Sequence, residues 1–310
     1  MSALICGSMA FDTIMVFHDQ FKNHILPEQV HILNVSFLVP ELRREFGGCA
    51  GNIAYNLKLL GGEGKPMATV GTDFSSYANW MDQAGVSREH IHTIPDSYTA
   101  QAYITTDQDD NQITAFHPGA LNNAHDVTVD ECADCTIGIV SPDGRQGMID
   151  HAAQFQARGI PFIFDPGQGM PMFDGDSLTR FVEQATWLAF NDYEAKLMEE
   201  RTGLSPQQMA EHVEAVIITR GGEGSSIYTR DKVYEIPTAP TTSLEDPTGC
   251  GDAYRAGLLY GLMNDLDWET TGRIAALMGA IKIEQAGTQN HSFTREAFDA
   301  RFEEAFGYAL

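Results

Sequence analysis

Asp246-Pro247-Thr248-Gly249-Cys250-Gly251-Asp252-Ala253-Tyr254-Arg255-Ala256-Gly257 sets a glycine-rich turn directly against a carboxylate at what reads as a helix start. Beyond it, Ala253, Ala256, Leu258, Leu259 and Leu262 recur at near-helical spacing, so the periodicity predicts a helix that begins between Gly251 and Ala253 and runs to Met263. The first N–H groups of such a helix lack intrahelical acceptors and the macrodipole adds positive character, which together favour a polyanion such as a transferring phosphate. Gly249 and Gly251 remove the side chains that would hold it off. Asp252, in the first turn, is placed to take the proton of a hydroxyl attacking that phosphate and to keep the oxygen in line. The helix start is expected to favour its ionised form and so to make it a weak base. The same string also fits an Asp that merely caps a helix after a flexible turn.

Upstream, residues 3–6 form a short apolar run that ends in Gly7-Ser8, with Asp12 following, so a buried strand delivers a carboxylate just past its carboxyl end. Residues 33–39 alternate, with Leu33, Val35, Phe37 and Val39 against Asn34 and Ser36, which predicts a half-covered strand. Residues 100–106 and 112–116 predict a hairpin joined by Asp107-Gln108-Asp109-Asp110-Asn111. A helical pattern over 52–60 and a short strand at 67–70 lie between these regions. Later, apolar runs at 136–140, 161–164, 186–190 and 216–219 are spaced by helical lengths, and this alternation implies parallel βαβ units in a three-layer α/β sandwich. The organisation predicted is a large domain of residues 1–11, 47–97 and 119–310, with a β-lid from 12–46 and 98–118. So small a sheet must cover something, either the site or the lid of a second subunit.

Composition narrows the partners. The 310 residues, 43% hydrophobic, suffice for one large core or two modest ones, and no repeat or low-complexity linker divides them. A net charge of −24, with six lysines against 43 acidic residues, argues against nucleic acid or an anionic membrane as partner. An anionic nucleotide must then be held by local devices. The N-terminal residues show no basic n-region and no long apolar run, so a cytoplasmic protein is expected. Five cysteines fit reduced thiols, and Cys132-Ala133-Asp134-Cys135, with only His125 nearby, makes poor four-coordinate zinc.

The 246–252 string resembles the D-T-x-G-A-G-D signature of the ribokinase-like (PfkB) kinases of sugars and nucleosides, with Pro247 for the usual Thr and Cys250 for the usual Ala. Backbone donors act there, so Cys250 is tolerated, and its thiol near a helix start is expected to be reactive. Gly47-Gly48-Cys49-Ala50-Gly51-Asn52 is similar to the G-G-x-x-x-N signature of that family, although read alone it is also a close-packed strand-to-helix turn. The resemblance makes Gly47, Gly48 and Asn52 substrate ligands, joined by Ser8, Ser36 and Asp12, the last accepting from two vicinal hydroxyls. Asn191-Asp192-Tyr193-Glu194 resembles the N-x-x-E motif that organises Mg²⁺ and its waters, and is equally a common helix cap. Thr219-Arg220-Gly221-Gly222-Glu223-Gly224 lacks a Walker A Lys-Ser/Thr. It resembles the T-x-G-x-x-G element in which Thr219, Gly222 and Gly224 line ATP, with Arg220 offsetting charge, and also fits a plain hairpin turn. Asp246, the Thr248 carbonyl and Ala286-Gly287-Thr288 resemble monovalent-cation loops, which implies K⁺ beneath the anion hole of residues 249–251.

Resemblance extends from Gly7 to Thr288 and is nearest the bacterial adenosine kinases, in which a lid aromatic, here Phe116, stacks on the purine. The second stacking Phe of those enzymes falls at Ala102, and their Gln-Gln base pair of residues becomes Gln168-Gly169. Tyr98 and Tyr103 lie near, but Tyr103 would face away from Ala102 in a strand. The implied reaction is ATP-dependent phosphorylation of the 5′-hydroxyl of a nucleoside, adenosine first, with lid closure over the substrate. Ribose or fructose is the alternative acceptor, and a non-catalytic nucleoside sensor the alternative class; a sensor has no need of Asp252, Asn191 and Glu194.

Overall fold

The computed structural model describes residues 1–25, 32, 34–109 and 111–310, so residues 26–31, Leu33 and Asp110 of the expected lid lie outside the described residues. The strands are β1 (Ser2–Cys6), β2 (Ala10–Val16), β3 (Glu41–Gly47), β4 (Glu63–Val70), β5 (His90–Thr93), β6 (Ala100–Thr106), β7 (Gln112–His117), β8 (Cys135–Val140), β9 (Phe162–Phe164), β10 (Trp187–Asn191), β11 (Ala215–Thr219), β12 (Ser225–Tyr228) and β13 (Val233–Ile236). The helices are α1 (Cys49–Leu59), α2 (Ser75–Ala84), α3 (Arg145–Arg158), α4 (Gly175–Gln184), α5 (Asp192–Thr202), α6 (Pro206–Met209), α7 (Cys250–Met263), α8 (Trp268–Ile283) and α9 (Arg295–Phe306).

Nine strands lie in the order β13-β12-β11-β10-β9-β8-β1-β4-β5, parallel from β5 to β11 and antiparallel at β12 and β13. The short apolar runs are strands buried on both faces, as a parallel sheet between helices requires. In β1 the period of two sends Ala3 and Ile5 to one core and Leu4 and Cys6 to the other. The first core takes Ile53 and Leu57 of α1, Tyr77 of α2 and Leu258 and Leu259 of α7. The second takes Phe155 of α3, Phe181 of α4 and Met198 of α5. Each such fully buried side chain contributes about 1.5–3 kcal/mol of transfer free energy. From β1 the chain runs outward to β4 and β5 on one side and returns through β8 to β13 on the other. The crevice beyond the carboxyl end of β1 is therefore the switch point where ligands bind in open α/β sheets.

A separate four-stranded sheet, ordered β3-β2-β6-β7, rises from that edge. Its register places Glu45, Asp12, Ala102 and Phe116 in one row across the sheet. Tyr103 pairs with Thr13 and Ala115 on the opposite face, as alternation predicts.

Two expectations are corrected. Residues 34–39 alternate in exposure but pair with no strand; β3 comes later, at the charged run Glu41–Gly47. The alternation records one-sided packing, with Phe37 lying 4.9 Å from the ring of Phe17 and 5.0 Å from that of Phe21. Ser36 is thus exposed on an irregular segment. Cys132 and Cys135, expected as reduced thiols, are joined in a disulfide at the amino end of β8, away from the crevice. Asp134 between them is held by Lys65 Nζ at 2.9 Å.

Candidate active site

Two helix starts meet at the crevice. Gly48, with φ +88°, begins α1, and Gly249, with φ +81°, begins α7; both are left-handed positions that favour glycine. A Cβ on Gly48 would collide with the main chain of residues 8–10, and one on Gly47 with the carboxylate of Asp12. The Ser8 hydroxyl accepts the Cys49 N–H at 3.1 Å, so Ser8 serves first as a cap for α1. Asn52, one turn into α1, donates from Nδ2 to Oδ2 of Asp252 at 2.8 Å. Its Oδ1 accepts from Nε2 of Gln289 at 2.9 Å, and Gln289 also reaches the Tyr77 hydroxyl, which donates to Gly47 O at 2.9 Å. The carboxamide expected to bind substrate hydroxyls therefore holds the carboxylate expected to act as base.

Asp252 departs from the expected electrostatics. Burial raises its carboxyl to about 6, and the nearby Asp165 adds to this, against lowering by Asn52 and Arg255. Desolvation outweighs the helix start. A carboxylate with this pKa is a better base near neutral pH than a depressed one. Arg255, one turn further along α7, is buried and pairs through Nε with Asp165 Oδ2 at 2.9 Å and through Nη2 with Oδ1 at 3.4 Å. Its Nη1 faces the turn, 3.8 Å from where a Cβ on Gly251 would stand. The first i→i−4 bond of α7 is Ala253 N–H to Gly249 O at 3.0 Å, which leaves the amides of Gly251 and Asp252 ahead of the ladder. The Cys250 amide instead donates to Pro247 O at 3.2 Å. The Cys250 thiol is no activated thiolate: burial pushes it up to about 11.

The other elements of the row are in place. Burial and then the charges of Glu45 and Asp246 raise Asp12 to about 6. Phe116 is 56% exposed on the same face, with only Ala102 beside it. Gln168 is exposed in the turn after β9, followed by Gly169 packed on Met148 and Met172.

The sequence that builds this crevice matches a family model. The pfkB family carbohydrate kinase model covers residues 9–295. The chain belongs to that family. It is a phosphotransferase with a hydroxyl acceptor. A nucleoside kinase of Burkholderia thailandensis, solved in complex with inosine, is 53% identical and superposes with a TM-score of 0.90 over 99% of both chains. The same kinase in complex with ADP-inosine gives 55% identity and a TM-score of 0.88 over 99% of this chain and 97% of that one. A nucleoside kinase of Methanocaldococcus jannaschii is 31% identical over 273 residues, 87% of this chain and 89% of the relative.

The motifs expected to face the nucleotide have definite local roles. Asn191 Oδ1 accepts the Glu194 N–H at 2.7 Å and Glu194 Oε2 accepts the Asn191 N–H at 2.8 Å, a capping box that starts α5. Glu194 is also raised by burial and by the charge of Asp165, against the pull of Arg255, which places it in the electrostatic field of the site. Thr219 pairs with Ser225 across an antiparallel hairpin, with Gly222 exposed at its tip and the Gly224 carbonyl accepting from Arg220 N at 2.8 Å. Arg220, expected to offset phosphate charge, is engaged within the protein: its Nη2 is bound to Glu235 at 2.9 Å and its Nη1 to Ser226. The carboxylate of Asp246 accepts from the Thr248 amide at 2.9 Å and the Gly287 amide at 2.9 Å.

Sequence reading did not single out Arg255, Asp165, Gln289 or Cys49, whose thiol lies against Asp252. Only Arg255 carried a signal, its i+3 spacing from Asp252 on the helix start. The others arrive through tertiary contacts.

Proposed function

We propose that the chain transfers the γ-phosphoryl group of ATP to the 5′-hydroxyl of a purine nucleoside. The observation that carries this reading is Asp252, held by Asn52 at 2.8 Å beside the open amides of α7, with Asp12 and Phe116 facing the same crevice from one row of the lid. In the reaction Asp252 accepts the proton of the 5′-oxygen, that oxygen bonds to the γ-phosphorus, and the bond to the β,γ-bridging oxygen breaks to leave ADP. The amides of Gly251 and Asp252 and the Nη1 edge of Arg255 face the charge that develops on the transferred group. Asp12 accepts from the ribose hydroxyls, Phe116 stacks on the base, and Gln168 reaches its edge. Gly47, Gly48 and Asn52 bring α1 close to the sugar, with Asn52 acting through Asp252. Thr219, Gly222 and Gly224 line the nucleotide.

Mg²⁺ suits the hard oxygens of Asn191 and Glu194, reached through water, and when bound it draws charge from the phosphates. Ala102 in place of an aromatic leaves one face of the base open, which supports adenosine and inosine alike. The cytoplasm, where ATP is supplied, is the compartment that this reading implies. The outer face of the lid, with Leu42 64% exposed, Ile113 43% and Tyr103 41%, fits a second copy of the chain; light scattering should give a dimer, and a monomer would remove that part.

The test is ATP turnover with adenosine, inosine, guanosine, ribose and fructose. Purine nucleosides should lead, and a free sugar preferred tenfold, about 1.4 kcal/mol, would overturn the nucleoside reading. ATP consumption should rise sharply with acceptor and stay slow without it, because the lid closes on the bound acceptor and the closed site keeps water from the γ-phosphoryl group.

A further inference from the structure

Lys282 stands in the last turn of α8, among Leu277, Met278 and Ile281, and is completely buried. A lysine at such a position ordinarily carries its ammonium out to water. This one turns inward: Nζ donates to the main-chain oxygen of Asp246 at 2.8 Å and to that of Gln285 at 3.1 Å. The first carbonyl belongs to the turn into the anion hole, and the second immediately precedes Ala286-Gly287-Thr288, the two segments that the family resemblance assigns to a monovalent cation. The Asp246 carboxylate is meanwhile engaged by the amides of Thr248 and Gly287. The ammonium thus bridges the two segments with a fixed positive charge and two oxygen contacts.

Burial lowers the pKa of Lys282 from its ordinary value, and the charge of Asp246 opposes that fall. Asp246 lies on one side, and the Cys250 thiol, held neutral by burial, lies on another. His291 is buried and pushed down to about 4 by burial and by the charge of Lys282 itself, so it adds no competing cation near neutral pH. An ammonium and a potassium ion are similar in size and charge and both take carbonyl oxygens, so one can serve where the other would.

We propose that Lys282 is a built-in monovalent cation that braces the Asp246 turn beneath the anion hole, so that phosphoryl transfer needs no added K⁺. It acts through the turn and is a positioning residue. This rests on the phosphotransferase reading of the site, so a readout independent of turnover is included. In buffer with tetramethylammonium as the counter-cation, wild-type kcat should change less than about twofold on adding about 100 mM KCl, and its Tm should be the same in either salt, since an ion that binds the folded state would raise it. Lys282→Met, which keeps the volume and removes the charge, should lower kcat about a hundredfold with little change in the nucleoside KM. Lys282→Ala opens room for an ion, and its Tm and kcat should rise in KCl or ammonium chloride.

Activation of the wild type tenfold or more by K⁺, or a K⁺-specific rise in its Tm, would overturn the proposal. So would a folded Lys282→Met enzyme as active as wild type without K⁺. If neither variant folds, the two wild-type measurements decide. If the wild type phosphorylates no acceptor, the Tm comparison still decides, and the phosphotransfer reading fails separately.

Discussion

Replacing Asp252 by Asn tests the site where its two demands conflict. Burial raises this carboxyl from 3.8 to about 6, so the folded protein holds its ionised form at a cost of about 3 kcal/mol. A raised acid contributes stability that is fully present below the unfolded value of 3.8 and is lost as pH rises through the folded value of about 6. Asn cannot ionise, and its amide oxygen can still accept from Asn52 Nδ2. Asp252→Asn should therefore be more stable than wild type by about 2–3 kcal/mol above pH 6, with a gain that shrinks to nothing near pH 4, visible as several degrees in Tm. It should also lose about a thousandfold in kcat, within the range that a general base supplies, while nucleoside affinity stays within a few-fold. In the wild type, kcat/KM should fall about tenfold between pH 8 and pH 5, since only about a tenth of a base with pKa near 6 is ionised there. Calorimetry across pH and steady-state rates check each part. A flat rate profile down to pH 4.5, or a variant that turns over within tenfold of wild type, would refute the role of Asp252. A variant less stable than wild type at pH 8 would refute the burial argument.

Asn52→Asp sets a second carboxylate against Asp252, so the acidic limb of the rate profile should move upward, beyond about pH 7, and kcat at pH 7 should drop; an unmoved limb would show that the 2.8 Å contact is not what tunes the base. Phe116→Ala should raise the nucleoside KM about tenfold with kcat nearly unchanged, in line with about 1–3 kcal/mol for stacking a base on an aromatic ring, and an unchanged KM would remove Phe116 from the base site. Asp143, whose Oδ2 has no partner among the described residues, is raised by burial to about 8. Its stabilising contribution should be lost between about pH 4 and pH 8, so Asp143→Asn should flatten the decline of Tm over pH 5–8, and parallel curves for the two proteins would contradict this.

The parallel core was legible because each buried strand is a short apolar run and each helix has its own period, so β1, β8, β10 and β11 fall where the runs lie. β3 was not, because Glu41-Leu42-Arg43-Arg44-Glu45 is an edge strand whose side chains are mostly exposed, and its pairing with β2 is made by main-chain groups that carry no composition signal. Residues 34–39 misled in the opposite sense, since a period of two arises wherever one side of an extended segment is covered. The order of motifs located the glycine turn that starts α7, but the sign of the Asp252 shift was not in the string. It depends first on burial by the packing of α7 and on the charge of Asp165 just past β9, against the opposing hydrogen bond from Asn52 of α1. The partner of Arg220 was equally out of view: Glu235 stands 15 residues away on β13.

A chain with net charge −24 must still hold a polyphosphate, so its few cations have to act locally. Arg220 is bound to Glu235, whereas Arg255, facing the Gly251 turn, and Lys282, holding the Asp246 carbonyl, are both buried and both fixed by oxygens, Asp165 in one case and the carbonyls of Asp246 and Gln285 in the other. A surface lysine would be screened by salt within about 10 Å at 0.1 M, but a buried charge is screened much less. Burial that weakens Asp252 as an acid thus also makes each of these few cations act at longer reach. Exposing either should hurt catalysis more than adding surface lysines can restore.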